Sequence, residues 1–259
     1  MKRFISIYKA EHYKTKSNIA ILLLLLCPFV ATAYIYIYYA IKAYTAIEAG
    51  ESSGYSVNTW INLIAKSILI LYLFYPLLIA ILTYSLCDME YRNKNFKRLF
   101  TLPYPVHTIF ASKILFLIKI VFLSSLISYA SFILGGTVLS HIIPEFSFQS
   151  YDIRLACLVL HTRLFISLLA VAFIQYAISL IFKNFVVPVG FGCFMFAFTF
   201  ISQRSEKRFL NPYAAVDNSL NEFINFQSVS FSNYDYVCLA WIFVFLLINY
   251  FLFKRQKIN

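Results

Sequence analysis

Six apolar stretches constrain this chain of 259 residues more than any other feature. They run over Ile19–Tyr39, Ser67–Leu86, Ile114–Val138, Leu164–Phe182, Phe185–Ser202 and Val237–Phe253. Each matches the roughly 17–25 residues a helix needs to cross the hydrocarbon core of a bilayer. A helix satisfies its own backbone inside lipid, whereas irregular chain does not. The stretches therefore imply an all-α integral membrane protein with six transmembrane helices. Composition agrees: 61% of residues are hydrophobic and only 13% are charged, too few charges for a soluble domain of this length. Tyrosines gather near the ends of the stretches, as in the Tyr34–Tyr39 run and at Tyr72, Tyr75, Tyr84 and Tyr250. Amphipathic rings suit the headgroup level.

Lysine and arginine set the expected orientation. With the N-terminus cytoplasmic, the inner side holds Lys2, Arg3, Lys9, Lys14, Lys16, Arg92, Lys94, Lys97, Arg98, Lys113, Lys183, Lys254, Arg255 and Lys257. The outer side holds half as many: Lys42, Lys66, Arg154, Arg163, Arg204, Lys207 and Arg208. Lys119 lies within the third stretch, in snorkelling reach of the inner face. Of the acids, only Glu11, Asp88 and Glu90 fall inside. This bias predicts that both termini are cytoplasmic. The net charge of +11 then reads as topology and contact with anionic lipid, not as nucleic-acid binding. Ala31-Thr32-Ala33 has small-x-small spacing, but the polar lead is long and the apolar run continues to Tyr39, unlike a cleaved signal. Cys27, Cys87, Cys157, Cys193 and Cys238 are scattered with no C-x-x-C, so they imply buried small side chains and no zinc site or disulfide framework.

Between the stretches the chain is short. Residues 1–18 place Phe4, Ile5, Tyr8 and His12 on one helical face, with Lys2, Lys9 and Lys16 elsewhere. This is either an amphipathic helix in the interface or only a positive anchor for the first span. The first outer loop, about Ala40–Lys66, is turn-rich at Gly50, Ser52, Ser53 and Gly54. The next, after Pro144, is expected to carry a short interfacial helix over Asp152–Thr162. Lys183-Asn184 alone join the fourth and fifth spans in a tight hairpin. The loop Gln203–Tyr236 turns at Asn211-Pro212 and holds Phe223, Ile224 and Phe226, which predicts short helices dipping into the outer leaflet.

The richest segment is the inner loop from Asp88 to Phe100. Phe96, Leu99 and Phe100 have i, i+3, i+4 spacing and share one face. Glu90 and Lys94 form an i, i+4 pair, and acids near the start suit the helix dipole. Pro103 and Pro105 end the element. The segment is a short amphipathic helix held against the inner face. Two readings stand: a basic loop whose aromatics touch lipid, or a docking helix that fits a groove in a soluble partner.

Polar groups inside spans are read as functional candidates beside a packing alternative. Gln175 and Ser179 are four apart on span four and share a face, either bonding between helices or lining a translocation path. Gly190 and Gly192 with Pro188 imply close packing at the start of span five. Gly135 and Gly136 are expected to loosen the outer end of span three, and His161 and Arg163 to snorkel at the outer edge. Catalysis finds no support: the four histidines, His12, His107, His141 and His161, form no H-E-x-x-H, and no G-x-S-x-G occurs. The chain also lacks G-x-x-x-x-G-K-[ST], so any ATP-driven work needs another polypeptide to hold the nucleotide. The nearly bare midplane argues against an ion-coupled secondary transporter.

Several stretches in order resemble the ABC-2-type permeases, in particular the branch of lantibiotic-immunity transporters. They are Glu11-His12-Tyr13-Lys14-Thr15-Lys16-Ser17 followed by Pro28, and Glu90…Lys94…Lys97…Leu102-Pro103-Tyr104-Pro105…Lys113. Phe173-Ile174-Gln175-Tyr176-Ala177-Ile178-Ser179-Leu180, Lys183-Asn184-Phe185, Val187-Pro188-Val189-Gly190-Phe191-Gly192 and Asn211-Pro212-Tyr213 continue the likeness. The resemblance implies the membrane half of an ATP-driven exporter in a bacterial cytoplasmic (inner) membrane. Two such subunits, a second copy or a paralogous permease, pair with two ABC ATPase subunits that carry the ATP and Mg, leaving no cofactor on this chain. It implies that residues 1–18 form an elbow helix with Glu11, Lys14 and Lys16. It implies a coupling helix seated on the ATPase within residues 87–113, with Glu90, Arg92, Lys94, Phe96, Lys97 and Arg98. It also implies re-entrant helices within residues 203–236. With no ring of charge along the spans, the expected substrate is an amphipathic peptide or lipid-like molecule. The alternative is a non-transporting sensor or assembly scaffold that docks a cytoplasmic ATPase.

Overall fold

A computed structural model describes residues 2–48, 59–92, 95–101, 103–144, 152–226 and 231–256. The helices are α1 (Lys2–Lys14), α2 (Ile19–Glu48), α3 (Thr59–Tyr91), α4 (Asn95–Phe100), α5 (Val106–Ile142), α6 (Arg154–Ile181), α7 (Val186–Ile201), α8 (Ala215–Phe226) and α9 (Asn233–Arg255). Three 3-10 turns, Ser202–Arg204, Glu206–Leu210 and Pro212–Ala214, lead into α8. No strand occurs among the described residues. Six helices, α2, α3, α5, α6, α7 and α9, are long and apolar enough to cross a bilayer, and they match the six stretches. They alternate in direction, so α1, α4 and the α6–α7 hairpin share one end of the bundle and α8 lies toward the other.

The helices overrun the apolar stretches. α5 has 37 residues, about 55 Å at 1.5 Å per residue, against a hydrocarbon core of about 30 Å. Its charged first turns therefore project past the apolar zone. The separate helix expected over Asp152–Thr162 is absent: α6 runs unbroken from Arg154. The apolar face continues through Cys157, Leu160 and Leu164, all buried, so nothing in the packing favours a break. α6 is the central element. Burial reaches 78% of its apolar window but only 17% of that of α9.

Ring packing closes α2, α3 and α5 at the α8 end. The Tyr36 hydroxyl donates to the Phe132 carbonyl at 2.6 Å, and Phe132 touches both the Tyr36 and Trp60 rings. Gly135 and Gly136 admit these rings, since a Cβ on either would overlap Tyr36 or Trp60 respectively. They tighten span three, contrary to the expected loosening. Gly192 is also packed, facing Gln175 and Ala80, whereas Gly190 faces open space.

The chain after α7 turns back into the bundle. α7 has 16 residues, about 24 Å, and the 3-10 turn Ser202–Arg204 extends it to the 19 residues of a span. The Tyr213 hydroxyl reaches Gln175 at 2.8 Å, six residues before the end of α6 and so about 9 Å from it. Irregular backbone at that depth must be satisfied by protein. The 3-10 turns bond their own carbonyls, the Asn211 side chain accepts from the Tyr213 N–H at 3.0 Å, and the Trp241 indole donates to the Leu210 carbonyl at 2.9 Å. An ionic knot holds the returning helix. Arg163 of α6 donates to Asp235 of α9 at 2.8 Å, and to Glu222 of α8 and Ser232 at 2.5 and 2.7 Å. Arg163 and His161 are buried and do not snorkel. Two carboxylates and the Ser232 hydroxyl hold the guanidinium inside, and His161 bonds the Cys157 carbonyl and Ser128.

Gly136→Leu is expected to cost about 1–3 kcal/mol by forcing the Trp60 ring aside, seen as a lower melting temperature in detergent. Gly190→Leu, on open surface, is expected to leave it unchanged. Equal behaviour of the two variants would contradict this packing.

Candidate functional site

The residues singled out between spans two and three converge at the end of the bundle that carries α1 and α4. α1 lays Ile7, Glu11 and the following Thr15 against the bundle, all buried. The Thr15 hydroxyl donates to the Glu11 carbonyl at 2.8 Å and closes the turn. Asn18 then caps α2, accepting from the Ala20 N–H at 2.9 Å, while its amide donates to Ser85 of α3 at 2.9 Å. The entry of the first span is thereby tied to the exit of the second.

Glu90 lies in the last turn of α3 and Lys113 two turns into α5, so they stand on the two stems of the loop that carries α4. The Lys113 ammonium donates to Glu11 at 2.7 Å and also to Glu90. Lys14 donates to the same Glu90 oxygen at 2.5 Å. Side chains of Lys113, Glu90 and Glu11 are 7%, 3% and 10% exposed, so the pairs are sheltered from water and strongly felt. The knot joins α1, α3 and α5 and balances two acids with two lysines. A small cavity bounded by these residues, Phe116 and Tyr176 has about 10 Å³ free, the scale of one water.

The chain differs here from the expected single helix over 88–100. Asp88 and Glu90 belong to α3, where Asp88 pairs with Arg92 at 2.6 Å, and α4 starts only at Asn95. Lys94 lies outside the described residues, and Glu90 turns inward to Lys113 and Lys14. Long-range charge pairing displaces the local spacing preference. Lys16 is exposed in the turn after α1, and Arg98 is exposed on α4. The backbone of Lys97 is helical.

α4 is held by aromatic rings. Phe96 is buried and stands 5.1 Å from the Tyr91 ring centroid and 6.0 Å from that of Phe253. Phe100 and Phe110 stand 5.6 and 5.7 Å from Phe253. The shared face of Phe96, Leu99 and Phe100 therefore packs on the end of α9 and the stems of the loop. The same rings lead to α6. The Tyr91 hydroxyl and the Gln256 amide donate to the Leu180 carbonyl at 2.8 and 2.9 Å, satisfying a carbonyl left free at the helix C-terminus.

Ser179 adjoins Leu180 on α6 and Gln175 lies one turn deeper, four residues before Ser179, and both are fully buried. Ser179 bonds the Gln175 carbonyl at 2.8 Å and Thr83 of α3 at 3.4 Å. With the Gln175 amide oriented to satisfy both its ends, its oxygen accepts from Tyr213 at 2.8 Å and from the Gly192 N–H at 3.3 Å. Its nitrogen then donates to the Pro188 carbonyl at 3.1 Å. These contacts are interhelical bonds between α6, α3, α7 and the returning segment. Sequence reasoning missed Lys113 as the centre of the knot, Phe253 as the seat of α4, and the Arg163–Asp235–Glu222 knot. Only a charge inside a helix hinted at the first and last, and nothing local pointed to Phe253.

Lys113→Met is expected to strand Glu11 and Glu90 as buried, underpaired carboxylates and to cost about 3–5 kcal/mol, measured as thermal unfolding in detergent. Lys16→Met, at an exposed charge, is expected to change stability by less than about 0.5 kcal/mol. Similar losses in both would contradict the assignment of the knot.

A family model described as ABC-2 family transporter protein matches residues 7–200. No curated protein and no solved structure matches the chain.

Proposed function

Because the chain belongs to the ABC-2 transporter family, whose members are membrane components of ABC transporters rather than catalysts, we propose that it is the permease subunit of an ATP-driven exporter. In this reading the end bearing α1 and α4 faces the cytoplasm, α4 seats on a separate ABC ATPase, and α1 is the elbow helix. The observation that carries it is the mounting of α4. Its inner face is fixed by Phe96 on Tyr91 and Phe253, while Arg98 points to solvent. A helix so mounted moves as one body with the ends of α3, α5 and α9. Force on its outer face would reach α6 through Tyr91 and Gln256 at the Leu180 carbonyl.

The knot of Glu11, Lys14, Glu90 and Lys113 supports the same reading. It couples α1 to both stems of the α4 loop, so a push on α4 would tilt α1 with the spans. The returning segment, Ser202–Phe226, would form the re-entrant outer element. Export of an amphipathic peptide or lipid-like molecule fits the surface between α2 and α5, where a groove of about 500 Å³ is lined almost wholly by apolar side chains. A second permease, identical or paralogous, would complete the path against the exposed faces of α2 and α7.

The test combines the purified chain with its ATPase. Alone, the chain is expected to bind no ATP. Arg98→Glu is expected to weaken co-purification of the ATPase by about tenfold and to lower ATP-stimulated movement of a labelled amphipathic peptide into vesicles, with an unchanged melting temperature. Unaltered ATPase binding and transport in this variant would overturn the docking role of α4. ATPase binding without any ATP-stimulated transport would favour a scaffold.

A further inference from the structure

The α1 end carries a second feature that the ionic knot does not use. A groove of about 480 Å³ opens on the outside of the bundle between the turn after α1, the start of α2, the end of α3 and Phe185. Its two halves differ. Toward the bundle interior the walls are Leu23 and Ile81, while the mouth at the helix ends holds Lys14, Ser17 and Arg92. Ile81 lies ten residues before the end of α3, so the groove follows the helices for about 15 Å. That is a polar opening at headgroup level leading to an apolar slot along the span.

The mouth has donors to spare. Among the described residues Lys14 donates only to Glu90, and its side chain is 30% exposed, which leaves two ammonium hydrogens open. Arg92 offers its Nε to Asp88, and its side chain is 76% exposed, which leaves both terminal amino groups open. Charge at the mouth is also unbalanced. Asp88 and Arg92 cancel, as do the four groups of the knot. Exposed Lys16 beside Ser17, and exposed Lys183, whose carbonyl accepts from Tyr84 of the groove wall, have no acid opposite them among the described residues.

The geometry points to a binding site for one anionic phospholipid of the surrounding leaflet. The phosphate takes the open donors of Lys14 and Arg92 in the field of Lys16 and Lys183, and one acyl chain lies along Leu23 and Ile81. Arg suits phosphate because its planar fork offers two parallel donors. A lipid seated there touches the α1–α2 turn and the end of α3 together, beside the α4 loop. The inference requires a membrane at this end of the bundle and nothing of the transport reading.

The full-length chain is reconstituted into phosphatidylcholine vesicles with a minority of phosphatidylglycerol, re-extracted in mild detergent without the ATPase, and weighed by native mass spectrometry. One phosphatidylglycerol per chain is expected to be retained in preference to phosphatidylcholine. Arg92→Gln is expected to lower that retention about fivefold, as removal of one surface cation does. Leu23→Trp is expected to lower it also, because it fills the apolar half of the groove and leaves every charge in place. Lys42→Gln, an exposed cation at the other end of α2, is expected to retain lipid as the unaltered chain does. Equal retention of both lipids, or retention unmoved by Arg92→Gln and Leu23→Trp in chains that melt normally, would overturn the site. So would a disulfide between two copies carrying Leu23→Cys, because a second chain would then cover the groove.

Discussion

Lys113 is one ammonium placed between two carboxylates at the α4 end of a largely apolar bundle. Its pairing with Glu11 and Glu90 brings an N-terminal helix, the end of one span and the start of the next to one point. The two stems of the α4 loop are thereby tied together, and α4 is held where its rings meet Phe253. Charge so sheltered is costly when unpaired and strongly directional when paired. The knot therefore specifies which elements meet at this end more than it adds to net stability.

A second knot stands toward the other end. Arg163 holds Asp235 and Glu222, and with them the start of α9 and the returning helix α8. Between the two knots the interior is joined by hydroxyl and amide bonds: Tyr72 to Thr199, Tyr75 to Ser124, Gln175 to Tyr213 and Ser179 to Thr83. α6 takes part at every level. It carries Arg163 near its start, Gln175 and Ser179 along its length, and at its end the Leu180 carbonyl that Tyr91 and Gln256 satisfy. In the proposed reading, movement imposed at α4 would pass through Tyr91 and Gln256 to the Leu180 carbonyl of α6, and α6 touches the returning segment at Tyr213. If the proposed ATPase docks at α4, that chain of contacts would be its physical route into the spans.

The six spans were legible in the sequence because a bilayer demands about twenty apolar residues from each, and no local detail blurs so long a signal. The inward face of α4 was legible for a similar reason, since Phe96, Leu99 and Phe100 keep helical spacing. What failed was pairing across distance. Glu90 has a lysine four residues on, yet it bonds Lys14 and Lys113 of other helices. Arg163 sits at the edge of an apolar stretch, where an isolated side chain would snorkel, but its acids lie 59 and 72 residues away. Gly135 and Gly136 read as a loose helix end until the rings of Tyr36 and Trp60 are seen against them. The apolar content of the loop after α7 led to the expectation that it dips inward, and only the Tyr213–Gln175 bond shows how far along α6 it reaches.

The central claim is that α4 faces the cytoplasm and is covered by the ATPase. Accessibility of a single cysteine tests it most directly, with Arg98→Cys or Lys42→Cys placed in a chain whose exposed Cys193 is serine. The account predicts that a membrane-impermeant maleimide labels position 42 in intact cells. It predicts labelling of position 98 only in inverted vesicles, and loss of that labelling when the ATPase is bound. Labelling of position 98 from outside intact cells, or labelling indifferent to the ATPase, would contradict it.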